Sequence, residues 1–295
     1  MKILILGASG QLGRCVTSLL KNSTHQIYAP STDLFKIPFQ SGAIKSLVAF
    51  NPGIILNLAA YTNVDLAEIE KEKAWSINTD GISQIYEIAI QNKSQIIHIS
   101  SDYVFSGKNS VPWKIDDPKY PETFYGKTKL EAEKILLEKY PDNSVILRTA
   151  WLYSEYGENF AKKILKKILM RENLLKIVDD QIGQPTSAYD LSVFINEIIN
   201  AEISSGIFHA TNSGKASWFD FAKKIKELSL STHTEVIPIK SDALKSKTKR
   251  PEFSVLSHEG NFQSNLLEMR DWEKALEECF PKILNQTKKE ISIGS

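Results

Sequence analysis

Two rhythms of apolar and polar positions alternate along the first half of the chain. Continuous apolar runs occupy residues 2–6, 26–29, 53–58, 95–100 and 145–148. Short runs of this kind, bounded by turn residues, predict strands buried on both faces. Gln95-Ile96-Ile97-His98-Ile99 is the clearest of them. Between the runs, residues 11–20, 43–50, 74–91 and 124–139 carry apolar side chains at helical spacing. Strand and helix in this alternation predict an α/β fold, with a doubly wound parallel sheet covered by helices on both sides.

Past residue 148 the pattern changes. Phe160, Ile164, Leu165, Ile168 and Leu169 repeat at helical spacing, with Lys162, Lys163, Lys166 and Lys167 mostly opposite. Such lysines are expected on a solvated helix face; holding a diphosphate is the alternative. Ser217-Trp218-Phe219-Asp220 has the spacing of a capping box and predicts a helix start. Residues 286–295 are polar and are expected to fray. With no internal repeat or low-complexity linker, a second lobe should pack on the first. The expected division is a dinucleotide-binding domain over 1–149 and, over 150–295, mainly a smaller, interleaved substrate-binding lobe. A segment near 176–200 is expected to return to the first domain.

Composition narrows the classes without adding chemistry. Hydrophobic residues make up 42 % and charged residues 24 % of the chain, as in an ordinary globular protein. A net charge of +1 gives no electrostatic case for a nucleic acid partner. No apolar run reaches the length of a membrane span, and the opening run is too short for a signal-peptide core. The two cysteines, Cys15 and Cys279, define neither a disulfide framework nor a metal cluster, and the five histidines are scattered. A reducing, cytoplasmic setting is therefore expected.

Gly7-Ala8-Ser9-Gly10-Gln11-Leu12-Gly13 joins the first predicted strand to the first predicted helix. Glycine lets the backbone turn sharply and come close to a ligand. The helix start offers free N–H groups and a positive dipole end to a pyrophosphate. Gly7, Gly10, Gln11 and Leu12 are thus candidate cofactor residues of a Rossmann-type sheet. Their spacing departs from the common dinucleotide fingerprint. At the end of the second strand, where a carboxylate would hold the ribose of NAD, stands Pro30-Ser31-Thr32-Asp33. Ser31 and Thr32 can donate to a 2′-phosphate, which favours NADP(H) over NAD(H).

Ser100-Ser101-Asp102-Tyr103-Val104-Phe105 ends the fourth strand, where doubly wound sheets place their ligands. Tyr125 and Lys129 lie one turn apart at a predicted helix start and share a face. An ammonium there is expected to depress the tyrosine pKa and make Tyr125 a proton donor to a carbonyl oxygen receiving hydride. Lys129 can also bind the nicotinamide ribose. Ser101 can bond the same oxygen.

These residues resemble the extended branch of the short-chain dehydrogenase/reductase superfamily and, within it, the dTDP-4-dehydrorhamnose reductase family. The resemblance runs over nearly the whole chain. It rests on residues 7–13, on Asn57-Leu58-Ala59-Ala60-Tyr61-Thr62 with Val64-Asp65 and Ala67-Glu68, and on residues 101–105. It continues through residues 125–129, Arg148-Thr149-Ala150-Trp151 and Asp180-Gln181-Ile182-Gly183-Gln184-Pro185-Thr186. It implies that Gly10, Gln11, Leu12, Ala59, Ala60, Tyr61 and Thr62 line an NADP(H) site, joined by Tyr125 and Lys129. It implies Ser101, Tyr125 and Lys129 in catalysis, and Asp102, Tyr103 and Trp151 against a nucleotide-linked sugar whose 4-keto group is reduced. A homodimer is compatible with it.

Three departures from the family pattern stand out. Phe35-Lys36-Ile37-Pro38 occupies the neighbourhood where an Asp often contacts the adenine. Cys15 replaces the Glu through which some members bind Mg²⁺ at a dimer contact, so no metal is expected. Ala150 stands where the family has Ser or Thr. Two other activities share the fold. A sugar-nucleotide dehydratase needs a further acid after the hydroxyl residue, and here Asp102 is followed by Tyr103. An epimerase holds NAD tightly, which the strand-end sequence disfavours. A third reading is a non-catalytic NADP-binding subunit like the regulatory β subunit of methionine adenosyltransferase.

Overall fold

A computed structural model describes residues 1–31, 36–243, 248–264, 266 and 268–294. Thr32, Asp33 and Phe35, named above around the cofactor's adenosine end, lie outside the described residues. The first half of the chain runs β1 (Lys2–Leu6), α1 (Gln11–Leu20), β2 (Gln26–Tyr28), α2 (Ser41–Phe50), β3 (Ile54–Asn57), α3 (Val64–Ala67) and α4 (Lys71–Trp75). A π-helical turn (Ser76–Asp80), α5 (Gly81–Asn92), β4 (Gln95–Ser101), α6 (Phe124–Lys139) and β5 (Ser144–Thr149) complete it. The second half adds β6 (Leu152–Tyr153), α7 (Phe160–Leu169), β7 (Leu174–Val178), β8 (Ile182–Gly183), β9 (Thr186–Ser187), α8 (Ala188–Asn200) and β10 (Gly206–His209). It ends with β11 (Ala216–Ser217), α9 (Trp218–Ser229), β12 (Glu235–Ile239) and α10 (Trp272–Gly294).

Six parallel strands form the main sheet in the order β10-β5-β4-β3-β1-β2. Side chains of one strand point to alternate faces, so β1 feeds two cores. Ile3 and Ile5 pack with α1 and α8 on one side, while Leu4 and Leu6 join the side chains of α2, α5 and α6 on the other. Each such fully buried side chain is worth about 1.5–3 kcal/mol. The order reverses between β1 and β3, which puts the ligand crevice at their carboxyl ends. Residues 188–209 complete this layer: α8 packs along α1, and β10 pairs with β5 from Gly206↔Val145 to His209↔Arg148.

The second lobe packs α7, α9 and α10 around Leu165, Phe221 and Leu276, beside the parallel pair β7 and β12. Ser217 and Asp220 form the expected capping box at the start of α9. Two expectations fail here. Residues 286–294 do not fray but continue α10. Ile283 and Thr287 are buried, and Glu290 reaches Lys162 at 2.7 Å. Lys162 accordingly leaves the solvated face predicted for it. Its side chain is 3 % exposed, and its ammonium also donates to the Gly157 carbonyl at 2.8 Å. Among the described residues no helix is long and apolar enough to cross a membrane.

Candidate active site

The carboxyl end of β4 turns at Ser101. Its hydroxyl caps the following turn by accepting from Tyr103 N at 3.2 Å and donates to Asp102 Oδ1 at 2.8 Å. The backbone places β5 beside it, with Ser101 in register with Thr149. Helix α6 arrives from above, its free amides capped twice. Gly126 N donates to Thr123 Oγ1 at 3.0 Å, and Phe124 N donates to Glu68 Oε1 at 2.6 Å. A Cβ on Gly126 would lie 2.2 Å from the Tyr103 carbonyl oxygen, so glycine sets how closely the helix meets the turn. Tyr125 is thereby brought beside Ser101, its ring edge-on to Tyr103 at 5.5 Å.

The electrostatics depart from expectation. Burial pushes the Tyr125 hydroxyl up to about 12, the Ser101 hydroxyl draws it down, and the Asp102 carboxylate raises it. Lys129 does not contribute, because its ammonium is turned into the sheet. It donates to the Ile99 carbonyl at 2.6 Å and lies 3.3 Å from His98 Nε2. Burial lowers Lys129 to about 8, against an upward pull from Glu133. His98 is held neutral by burial and by the Lys129 charge. Its Nδ1 meets Asn57 Nδ2 at 3.0 Å, and Asn57 Oδ1 accepts from Ala59 N at 3.3 Å. Asp102 is 3 % exposed, and burial raises its carboxyl to about 6. The Ser101 and Ser254 hydroxyls draw it back down, and Oδ2 is buried without a well-formed hydrogen bond of its own.

The remaining candidates occupy the same end of the sheet. Gly7 adopts φ +81°, and a Cβ there would strike Ala59 N at 2.6 Å. At Gly10 a Cβ would touch only the Gly7 carbonyl, at 3.4 Å, so the space above is open. No side chain caps α1, leaving the first-turn amides of Gln11 and Leu12 for a ligand. The Gln11 side chain faces the second lobe instead, accepting from Ser154 and from Asn159 at 2.9 Å. The loop from Ala59 through Thr62 is pinned by Asn78, whose Oδ1 accepts from Tyr61 N at 2.8 Å. The Tyr61 hydroxyl donates to Glu70 at 3.1 Å. Ser31 is exposed past the end of β2. Trp151, two residues beyond Thr149, is part-exposed with left-handed backbone.

Beneath these groups lies a layer that sequence reasoning missed. Arg148 donates to Glu133 through Nε at 2.9 Å and Nη2 at 2.7 Å, and Ser100 Oγ donates to the same carboxylate. Both charged groups are essentially unexposed. The sequence signal was present in part: Glu133 falls one turn after Lys129 on the same face of α6, and Arg148 ends the apolar run of β5. Asn78 and Thr128, joined at 2.9 Å, gave no such signal.

A parallel sheet with a glycine turn after its first strand, and Ser, Tyr and Lys gathered at the end of its fourth, defines a dinucleotide-binding protein of the short-chain dehydrogenase/reductase type. The chain belongs to the family described as RmlD substrate binding domain, whose family model matches residues 1–285. It is 37 % identical to the spore coat polysaccharide biosynthesis protein SpsK of Bacillus subtilis, over 94 % of this chain and 96 % of that one. It is 36 % identical to the dTDP-4-dehydrorhamnose reductase of Aggregatibacter actinomycetemcomitans, over 93 % and 97 %. Among solved structures, a dTDP-4-dehydrorhamnose reductase from Bacillus anthracis in complex with NADP superposes with a TM-score of 0.90 at 33 % identity, covering 95 % of this chain and 99 % of that one. A UDP-glucose 4-epimerase from Thermotoga maritima, at 16 % identity and TM-score 0.80, shares the fold.

Proposed function

We propose that this protein uses NADPH to reduce the 4-keto group of a nucleotide-linked 6-deoxy sugar, with dTDP-4-dehydro-L-rhamnose as substrate and dTDP-L-rhamnose as product. The observation that carries this reading is the meeting of Ser101, Tyr125 and Lys129 at one strand end, in a family whose named relatives carry that activity. The residues fit the cofactor: the open space at Gly10 and the uncapped first turn of α1 suit a pyrophosphate. When bound, NADPH supplies the hydride. The chain's own groups manage the proton. Ser101 gives its hydrogen to Asp102 here and lies within hydrogen-bonding reach of the Tyr125 hydroxyl; with substrate bound, it would turn that hydrogen to the carbonyl oxygen, leaving the Tyr125 proton free for the same atom. Tyr125 gives its proton to the carbonyl oxygen as the new C–H bond forms. Lys129 would hold the nicotinamide ribose. Asp102, buried beside Ser101, would accept from a sugar hydroxyl through Oδ2. The deciding assay is loss of NADPH absorbance with a panel of 4-keto sugar nucleotides. Oxidation of NADPH by at least one of them is expected; none at all, with NADPH still bound, would favour a non-catalytic subunit.

Two further outcomes test the parts. Gly10→Val should leave stability near that of the parent, since the backbone there has φ −73° and the added carbon meets open space. It should weaken NADPH by about tenfold or more, because the side chain fills the approach to the α1 amides. Equal NADPH affinity in a titration would remove the pyrophosphate from this turn. Asp102 supplies a pH signature. Its carboxyl stays protonated below about 6, where Oδ2 can no longer accept from a sugar hydroxyl without competing with its own proton. The kcat/KM for the sugar should fall by about tenfold per pH unit below that point, and Asp102→Asn should lose this limb. A limb that survives the substitution would assign it elsewhere.

The absence of a metal requirement remains an expectation from Cys15. Among the described residues no group of three or more His, Cys, Asp or Glu side chains could hold an ion.

A further inference from the structure

Trp151 occupies an unusual position for a large side chain. Its φ is +45°, a region that costs a residue bearing Cβ roughly 1–2 kcal/mol. Three contacts hold it there. Its carbonyl accepts from Thr186 N at 3.2 Å. Its indole lies flat on that of Trp218, with centroids 3.5 Å apart and planes 6° from parallel. Its edge meets Gly183, where a Cβ would fall 2.5 Å from Cε2 and 2.7 Å from Nε1.

All three holding groups come from beyond residue 180, and two of them are built for the purpose. Antiparallel pairing of β8 with β11 sets Gly183 opposite Ala216 and Ile182 opposite Ser217. Ser217 and Asp220 then fix the first turn of α9, which begins at Trp218. Phe160 of α7 backs the Trp218 ring at 4.5 Å. The second lobe therefore grips, by face and edge, an indole that grows from the end of β5, next to the strand that ends in Ser101. A part-exposed indole clamped this way has one face committed to protein and cannot swing.

We propose that Trp218 is a positioning residue for substrate: stacked on Trp151, with Gly183 against the indole edge, it fixes the plane on which the C–H face of the sugar packs. Trp218 need not touch the sugar. Its contribution is to hold Trp151 in its left-handed backbone conformation, so that the wall exists before substrate arrives. This rests on the reductase reading above.

The test compares Trp218→Leu, Trp218→Phe and Gly183→Ala in the full chain, by steady-state kinetics with NADPH and the keto sugar nucleotide and by calorimetric titration with dTDP-L-rhamnose. Near-UV circular dichroism reports whether the indole pair is intact. Trp218→Leu should raise KM and the product Kd by about tenfold, the size of one aromatic contact. Its kcat should stay within about threefold of the parent, and NADPH affinity should not change. Trp218→Phe should recover most of the loss. Gly183→Ala should reproduce the loss with both indoles present, by pushing Trp151 off its plane. An active parent whose KM and product Kd are unmoved by both Trp218→Leu and Gly183→Ala overturns this inference alone. So does a loss in which kcat, KM and NADPH affinity all worsen together, the mark of a merely structural role. A parent that binds NADPH but neither reduces nor binds any sugar nucleotide overturns the reductase reading, and this inference with it.

Discussion

Tyr125→Phe is expected to slow hydride transfer by about 10²- to 10⁴-fold, roughly 3–5 kcal/mol of barrier, with NADPH affinity nearly unchanged. A ketone that accepts hydride becomes an alkoxide, and Tyr125 is the buried hydroxyl beside Ser101. Phe keeps the ring and its edge contact with Tyr103 while removing the donor. Burial, helped by the Asp102 carboxylate and opposed by the Ser101 hydroxyl, holds this hydroxyl near 12, so in the free protein it is a reluctant acid. The lysine that would ease its ionisation is turned toward Ile99 and His98. Lys129→Met should therefore act differently, slowing the chemistry and also raising the NADPH dissociation constant if the ammonium turns to the ribose on binding. Stopped-flow hydride transfer beside cofactor titration separates the two variants. A Tyr125→Phe protein within about threefold of the parent would remove this proton donor, since that is below any general-acid effect.

Glu133→Gln should strongly destabilise the protein. It leaves the Arg148 guanidinium, which is unexposed and bonded twice to that carboxylate, without its counter-charge. Removing one partner of such a pair costs about 3–5 kcal/mol, a melting shift on the order of 10 °C. Replacing both, as Glu133→Leu with Arg148→Met, should recover much of the loss, because neither charge then remains to be desolvated. Denaturant melts of the two single variants and the double variant decide it. If the double variant is as unstable as the sum of the singles, the ion pair is not what the variants report. Activity should fall with Glu133→Gln as well, since Ser100 bonds the same carboxylate one residue before Ser101.

The first half of the fold was legible because its signals are local. α1 and α6 begin and end where apolar spacing placed them, and β1 matches its apolar run residue for residue. One interruption escaped: the helix expected over 74–91 is broken by the π-helical turn that carries Asn78. The second half was less legible for a physical reason. Its strands β6, β8, β9 and β11 are two residues long, too short for any period to show. Lys162 and the polar end of α10 read as solvated because each looks exposed without the other. They meet across 128 residues. The same holds at the site. Ser101, Tyr125 and Lys129 could be singled out by type and spacing. The inward turn of Lys129 could not, because it depends on His98 and the Ile99 carbonyl across the interface between α6 and β4.

The return of the chain to its first layer has a consequence for synthesis. When residue 149 has left the ribosome, five of the six strands exist, but β5 still presents an open edge. The face formed by Ile3, Ile5, Leu56, Ile97, Val145 and Leu147 still lacks Leu191, Phe194, Ile195 and Ile198 of α8. Cover and edge strand arrive only with residues 188–209. A nascent chain in between carries a sticky sheet with a free strand edge, the kind of species that chaperones bind and that aggregates when they do not. Ribosome-stalled lengths that expose residue 149 but not residue 209 beyond the exit tunnel should therefore be protease-sensitive, and lengths that expose residue 209 should become resistant, β1 included. The glycine turn after β1, made long before α8, would then become firm only once α8 has arrived.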